Sequence, residues 1–254
     1  MQTPAISRIF RYPVKGLSPE QLEQVELSPG QALPEDRRFA IAHGSTRFDA
    51  AQPEWLPKRN FLQLMENERL AALECRFDAS TGFLTIKRQG RQVARANATD
   101  AMGRTILEQF FAAYMGTEVR GQPKLIDGAQ LSFGDNGAPV VSLINLASIG
   151  DLERVVGSPV DPLRFRANVY FQGAEPWIER SWEEREVSIG FARLKIVAPI
   201  GRCAATNVDP VSAQRDLNIP KALERGFGHS CLGVYAEVVE GGMIAAGDAI
   251  TLAK

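Results

Sequence analysis

Apolar and polar positions alternate over Ala5–Arg11 and, briefly, over Gln24–Leu27, and both stretches predict half-buried strands. A short apolar run at 38–42 predicts another. Ser28-Pro29-Gly30 and Leu33-Pro34-Glu35-Asp36 separate these runs as turns. Segments 70–77 and 82–88, joined by Asp78-Ala79-Ser80-Thr81-Gly82, predict a hairpin. Thr99-Asp100 then caps a helix predicted over Ala101–Met115. Met102, Ile106, Phe110 and Ala113 form its apolar face, and Gly116 ends it.

The polar, glycine-containing segment 117–137 is the candidate boundary, so the chain divides into 1–125 and 126–254. Beyond it, 139–146 predicts a buried strand and 148–156 a short helix. Strands follow at Val169–Gln172, Glu186–Ile189 and 191–198. A helical turn begins at 220–224, and Gly226-Phe227-Gly228 breaks it. The chain closes with strands at 232–239 and 249–252 around a turn at Glu240-Gly241-Gly242. Many short strands with few helices predict a mixed, mainly β fold: barrels with appended helices.

Composition narrows the function. The 254 residues are 44% apolar and 23% charged, enough for a sizeable core. Net charge is −1, from 29 basic and 30 acidic residues, with no basic tract, which argues against nucleic acid as the main partner. The N-terminus carries no apolar core of signal-peptide length, and no run is long enough for a membrane helix. Three scattered cysteines, Cys75, Cys203 and Cys231, make neither a disulfide framework nor a CxxC site. The expectation is a reduced, cytoplasmic protein without a membrane partner. With only His43 and His229 as imidazoles, histidine-rich metal sites and Ser-His or Cys-His pairs have little material. An enzyme of this composition needs a cofactor for its chemistry.

Candidate chemistry concentrates in Pro199-Ile200-Gly201-Arg202-Cys203 and the polar run after it, ending in Val208-Asp209-Pro210. A strand-like run feeds this segment, and its turn residues place Cys203 at a loop edge beside the positive charge of Arg202. Cys203 reads either as a sulfur ligand or nucleophile there, or as a small buried residue. Lys15, Arg37, Arg166 and Arg202 all fall where predicted strands meet loops, and each reads either as a surface charge pairing with a carboxylate or as a phosphate-binding residue. Asn168 adds an amide, and Ser148 a hydroxyl at the start of a helix. Spacing alone does not bring them together. Cys75 and Cys231 read as core residues.

These residues resemble the MOSC-domain family, and within it the amidoxime-reducing subgroup. Tyr12-Pro13-Val14-Lys15-Gly16 followed by Asp36-Arg37 is similar to the family's N-terminal β-barrel domain. Arg164-Phe165-Arg166-Ala167-Asn168, Gly201-Arg202-Cys203 with Thr206, Val208-Asp209-Pro210 and Gly247-Asp248 are similar to the MOSC domain itself. The resemblance implies a MOSC-type β-barrel with flanking helices beside a β-rich N-terminal domain. It implies molybdenum–molybdopterin as cofactor, with Cys203 as the metal's sulfur ligand, since soft thiolate suits such a metal. Lys15, Arg37, Ser148, Arg166, Asn168, Arg202 and Thr206 would hold the cofactor, and Asp209 would handle protons. The implied activity is reduction of N-hydroxylated compounds such as amidoximes and hydroxylamines. Electrons would come from a separate ferredoxin or cytochrome b5 type protein, because these cysteines cannot hold an iron–sulfur cluster. The alternative is a cofactor carrier or a sulfur-transfer protein using Cys203. The chain departs from the family pattern at Gly16, Ala167 and Gly201.

Overall fold

The computed structural model describes residues 3–129 and 131–253; Met1, Gln2, Lys254 and Gln130, inside segment 117–137, lie outside the described residues. The first half supplies β1 (Ala5–Arg11), β2 (Glu20–Leu22), β3 (Gln24–Leu27) and β4 (Phe39–Ala42). A meander follows, β5 (Glu74–Asp78), β6 (Phe83–Arg88) and β7 (Arg91–Asn97), then helix α1 (Ala101–Met115) and β8 (Lys124–Asp127). The second half holds β9 (Val141–Asn145), α2 (Leu146–Val156), β10 (Val169–Gln172), β11 (Glu186–Ile189) and β12 (Ala192–Gly201). It ends with α3 (Ile219–Phe227), β13 (Cys231–Glu240), β14 (Gly242–Ala245) and β15 (Ile250–Leu252). The fold is mainly β, as the patterning predicts.

Eight strands form one curled sheet in the order β15-β11-β12-β13-β9-β10-β1-β2. Within it β9 and β10 run parallel, with α2 as the crossover between them, and the other pairs are antiparallel. The two halves of the chain interlock. β1 adds to β10 with Ile9 opposite Val169, while β3 pairs with β14. Alternation explains the core: along β12, Ala192, Leu194 and Ile196 turn inward to meet Ile9, Leu143, Phe171 and Val234. A second core lies under the meander, where Phe77, Leu84 and Ile86 pack against Leu107 and Phe111 of α1.

Local rules place the helices. Asp100 Oδ1 accepts from Gly103 N at 2.6 Å and caps α1; Asn145 Oδ1 does the same for α2 through Ala147 N at 3.1 Å. Gly116 and Gly157, both at positive φ, follow these helices. The expected apolar face of α1 is corrected by one residue. Met102 and Ile106 face solvent, and Gly103, Leu107, Phe111 and Met115 are buried. Gly103 decides this, because a Cβ there would lie 1.9 Å from Asn97 O, so only glycine allows the helix to sit on β7. Three other expectations shift. The strand expected at 70–77 starts at Glu74 after a 3-10 turn over Glu68–Ala72. Segment 117–137 contains β8, which pairs with β4. Helix α3 continues through Gly226, where Val155 of α2 packs too close for a side chain, and stops at Gly228.

Candidate cofactor-binding cleft

The loops after β1 and β12 and those before β4 and β10 line one cleft of about 210 Å³. Lys15, Arg37, Asn168, Arg166, Arg202, Cys203 and Thr206 all border it, so seven of the nine residues singled out in the sequence converge. Arg37 and Arg166 each hold a left-handed backbone, with φ of 52° and 53°, which non-glycine residues adopt at a cost. That conformation turns both guanidiniums onto one ring: they stand 4.6 and 4.3 Å from the centroid of Tyr12, which is fully buried.

Positive charge exceeds negative at this cleft. Lys15, Arg37, Lys58, Arg164, Arg166 and Arg202 border it, with Asp36 and Asp135. Arg37 pairs with Asp36, Lys15 Nζ with Asp135 at 2.6 Å, and Arg164 with Asp209 at 2.8 Å and Asp216 at 2.7 Å. Arg166, Arg202 and Lys58 form no ion pair among the described residues. Arg166 Nη1 donates to Leu17 O at 2.6 Å, but its buried Nη2 has no partner. Burial, and after it the charge of Arg37, pushes the Arg166 guanidinium down to about 10. Burial likewise lowers the Lys15 ammonium against the pull of Asp135, with Arg37 and Arg166 adding to the effect. Burial also opposes the charge of Arg37, but Asp36 outweighs it and raises that group. An unpaired guanidinium nitrogen among crowded cations is a standing demand for an anion.

Cys203 lies two residues past the end of β12 and is half-buried at the cleft wall. Its carbonyl accepts from Thr206 N at 3.1 Å and Thr206 Oγ1 at 2.8 Å, which fixes the turn that presents the thiol. The Thr206 hydroxyl therefore positions Cys203. Arg202 acts on the backbone: Nε reaches Leu232 O at 2.8 Å and Nη1 reaches Phe165 O at 2.9 Å. Asn168 is a strut, with Oδ1 accepting from Ser142 N and Oγ and Nδ2 donating to Phe10 O at 3.2 Å. Arg215 ties the turn after Cys203 to the loop of Leu64, donating to Ala204 O at 3.2 Å, Leu64 O at 3.0 Å and Met65 O at 2.9 Å.

Residues 129–251 match the MOSC domain, and residues 3–118 match the MOSC N-terminal beta barrel domain. The chain belongs to the MOSC-domain family. Among curated proteins, a segment of this MOSC protein is 35% identical over 75 residues to mitochondrial amidoxime-reducing component 1 of Danio rerio, covering 30% of this chain and 22% of that protein. The human protein of the same name is 32% identical over 81 residues, covering 32% of this chain and 23% of the relative. Human molybdenum cofactor sulfurase is 30% identical over 89 residues, covering 30% of this chain and 10% of the relative. The chain thus spans less than a quarter of each of these relatives. Among solved structures, the YUAD protein from Bacillus subtilis aligns with 98% of this chain and 94% of its own, at 13% identity and a TM-score of 0.46.

Two expected site residues of this MOSC protein do not border the cleft. Ser148 is fully buried: its hydroxyl donates to the Glu179 carboxylate at 2.9 Å and accepts from Trp177 N at 2.8 Å. A buried carboxylate without a cation needs that donor, so the hydroxyl serves the fold. Asp209 shapes its own turn, accepting from Ser212 N at 2.6 Å and Val211 N at 3.0 Å, and it pairs with Arg164. Burial opposes its ionisation, but these donors outweigh it and hold its carboxyl below the ordinary value. Conversely, Gln63, Lys58 and Asp135 border the cleft without having stood out in the sequence as part of this site. Asp135 lay inside the segment taken for a boundary. The one available signal was Gly134-Asp135-Asn136-Gly137, a polar turn of the kind that meets ligands.

Cys75 is buried as expected, with burial raising its thiol, while Cys231 is half-buried. Trp182 stacks on Phe171 in the core, 5.4 Å between centroids, and Trp55 Nε1 donates to Gly134 O at 2.8 Å. Among the described residues, no group of three or more His, Cys, Asp or Glu side chains could hold a metal. No helix among them is long and apolar enough to cross a membrane.

Proposed function

We propose that this cleft holds a molybdenum–molybdopterin cofactor and that the protein reduces N-hydroxylated compounds such as amidoximes and hydroxylamines. One observation carries the reading: a soft thiol, Cys203, borders the same cleft as a surplus of cations with an unpartnered Arg166 nitrogen. That donor set fits a group with a phosphate at one end and a thiophilic metal at the other. When bound, the cofactor supplies two-electron chemistry that no side chain offers. Arg166, Lys15 and Arg37 bind its phosphate, Cys203 gives the sulfur ligand, and Thr206 and Arg202 hold the Cys203 turn and its neighbouring strand. Asp209 orients Arg164 and the turn after Cys203, so the proton reaches the substrate from another group or from water. Electrons come from a separate protein of ferredoxin or cytochrome b5 type. The unpaired cysteines suit a reducing, cytoplasmic setting. The division near residues 125 and 126 falls in the gap between the two family matches, although β8 spans it.

Molybdenum and pterin content per mole, after expression in a host that makes the cofactor, tests the reading. Near-stoichiometric metal in the wild type and none in folded Cys203→Ala is the expected result. Equal metal in both, or none in either, overturns the ligand assignment. A second reading is a cofactor carrier or a sulfur-transfer protein using Cys203. Asp209's engagement with Arg164 and the likeness to molybdenum cofactor sulfurase favour it. Turnover of an amidoxime with a reduced donor protein separates the two, because a carrier binds cofactor without turnover.

A further inference from the structure

Asp135 reaches into the cation cluster from the solvent side. Lys15 Nζ donates to Asp135 Oδ1 at 2.6 Å and to Phe133 O at 2.9 Å. The two partners differ in exposure: the Lys15 side chain is 8% exposed and the Asp135 side chain 55%. The lysine is thus fixed in the wall, and the carboxylate belongs to a loop lying across it. Trp55 holds that loop, with Nε1 on the Gly134 carbonyl and its ring against Gly137, where a Cβ would come within 2.9 Å of the indole. The loop can therefore release Lys15 at Asp135 while staying anchored at Trp55.

We infer that Asp135 is a built-in counterion of the cleft, occupying Lys15 until the anionic group of an incoming ligand displaces it. This rests on the proposed reading of the cleft as a phosphate-bearing cofactor site and adds how that site selects its occupant. A monoanionic carboxylate replacing Asp135 exchanges one ion pair for another and gains little. A dianionic phosphate satisfies Lys15 and still has charge and oxygen atoms for the unpartnered Arg166 nitrogen. The internal competitor thus discriminates in favour of phosphomonoesters over small carboxylates. It also neutralises Lys15 before any ligand arrives.

Isothermal titration of inorganic phosphate into the full chain, purified from a host unable to make the cofactor, tests the inference. Asp135→Asn should bind phosphate about tenfold more tightly than wild type, as expected for removing a competing charge-assisted bond. The gain should disappear in the Lys15→Met background, since the competition is for that ammonium. Circular dichroism confirms that both variants are folded, and the half-exposed position of Asp135 favours this. Unchanged or weaker phosphate binding in Asp135→Asn, with binding still abolished by Arg166→Met, overturns the counterion role and leaves the cleft as an anion site. An equal gain with and without Lys15 also overturns it, because general electrostatics then explains the effect. Failure of all variants to bind phosphate overturns the cofactor reading together with this one.

Discussion

Arg164 and Arg166 are two residues apart and face the same cleft, yet removing them should have different consequences. Arg164 is 2% exposed at its side chain and binds Asp216 through two nitrogens, Asp209 through one and Asn207 O at 3.2 Å. Replacement by methionine strands two carboxylates. Because Asp216 can turn to water, the loss falls at the lower end for a broken buried pair, about 3 kcal/mol. Arg166→Met loses the Leu17 hydrogen bond, about 1 kcal/mol, and the Tyr12 contact, about 1 kcal/mol. Against this stands the relief of a guanidinium held down to about 10 by burial and by Arg37. At full value that relief is roughly 3 kcal/mol, and water reaching its half-buried flank reduces it to about 1–2 kcal/mol. The terms cancel to within about 1 kcal/mol. Urea unfolding of the cofactor-free chain reads both numbers by linear extrapolation. Phosphate should raise the midpoint of the wild type and leave that of Arg166→Met unmoved. A loss of 3 kcal/mol or more in Arg166→Met, matching Arg164→Met, would refute the view that Arg166 is held ready for a ligand.

Two further perturbations address residues outside the cleft lining. Burial raises the Glu179 carboxyl against the hydrogen bonds of its own backbone and Ser148. Between the ordinary value near 4.5 and that raised value, the native state keeps a proton that the unfolded state has lost. Stability from this group therefore falls as pH rises through that window. Glu179→Gln should flatten the pH dependence of Tm there and raise Tm at neutrality; an unchanged slope would refute the assignment. Arg215→Met severs Ala204 from Leu64 and Met65, and should cost about 1–2 kcal/mol in urea unfolding. Molybdenum and pterin occupancy should drop in the same variant, and full occupancy would show that the clamp does not shape the cleft.

Strand bounds at Ala5–Arg11, Val169–Gln172 and Glu186–Ile189 were legible from short apolar runs, although only Glu186–Ile189 alternates cleanly. β1 carries a bulge between Ile6 and Arg8, and Val169, Tyr170 and Phe171 are buried in succession. β7 was missed because Arg91–Asn97 is polar and largely exposed, so it carries no period-two signal. The face of α1 was ambiguous because Phe110 and Phe111 offer two apolar stripes, and the choice depends on how Gly103 meets Asn97. Gly226 misled for the same reason: a glycine that breaks a helix in isolation is required where α3 crosses Val155. Convergence at the cleft was legible only through the family resemblance, since Lys15 and Cys203 are 188 residues apart. Spacing carries no information about such a meeting. The roles of Ser148 and Asp209 depend on partners, Glu179 and Arg164, that no motif names.

The place of β1 in the large sheet has a consequence for synthesis. Its partner β10 leaves the ribosome more than 150 residues after it, so until then β1 must wait with only the short β2 beside it. At about 5–20 residues per second that wait is on the order of ten seconds. Closure of the sheet is thus a late, long-range step, the kind that slows folding and exposes strand edges. A fragment beginning at the MOSC match, residue 129, would lack this strand altogether and leave the edge of β10 open. The half of the chain that carries Cys203 depends on a strand from the other half to cover the edge of β10.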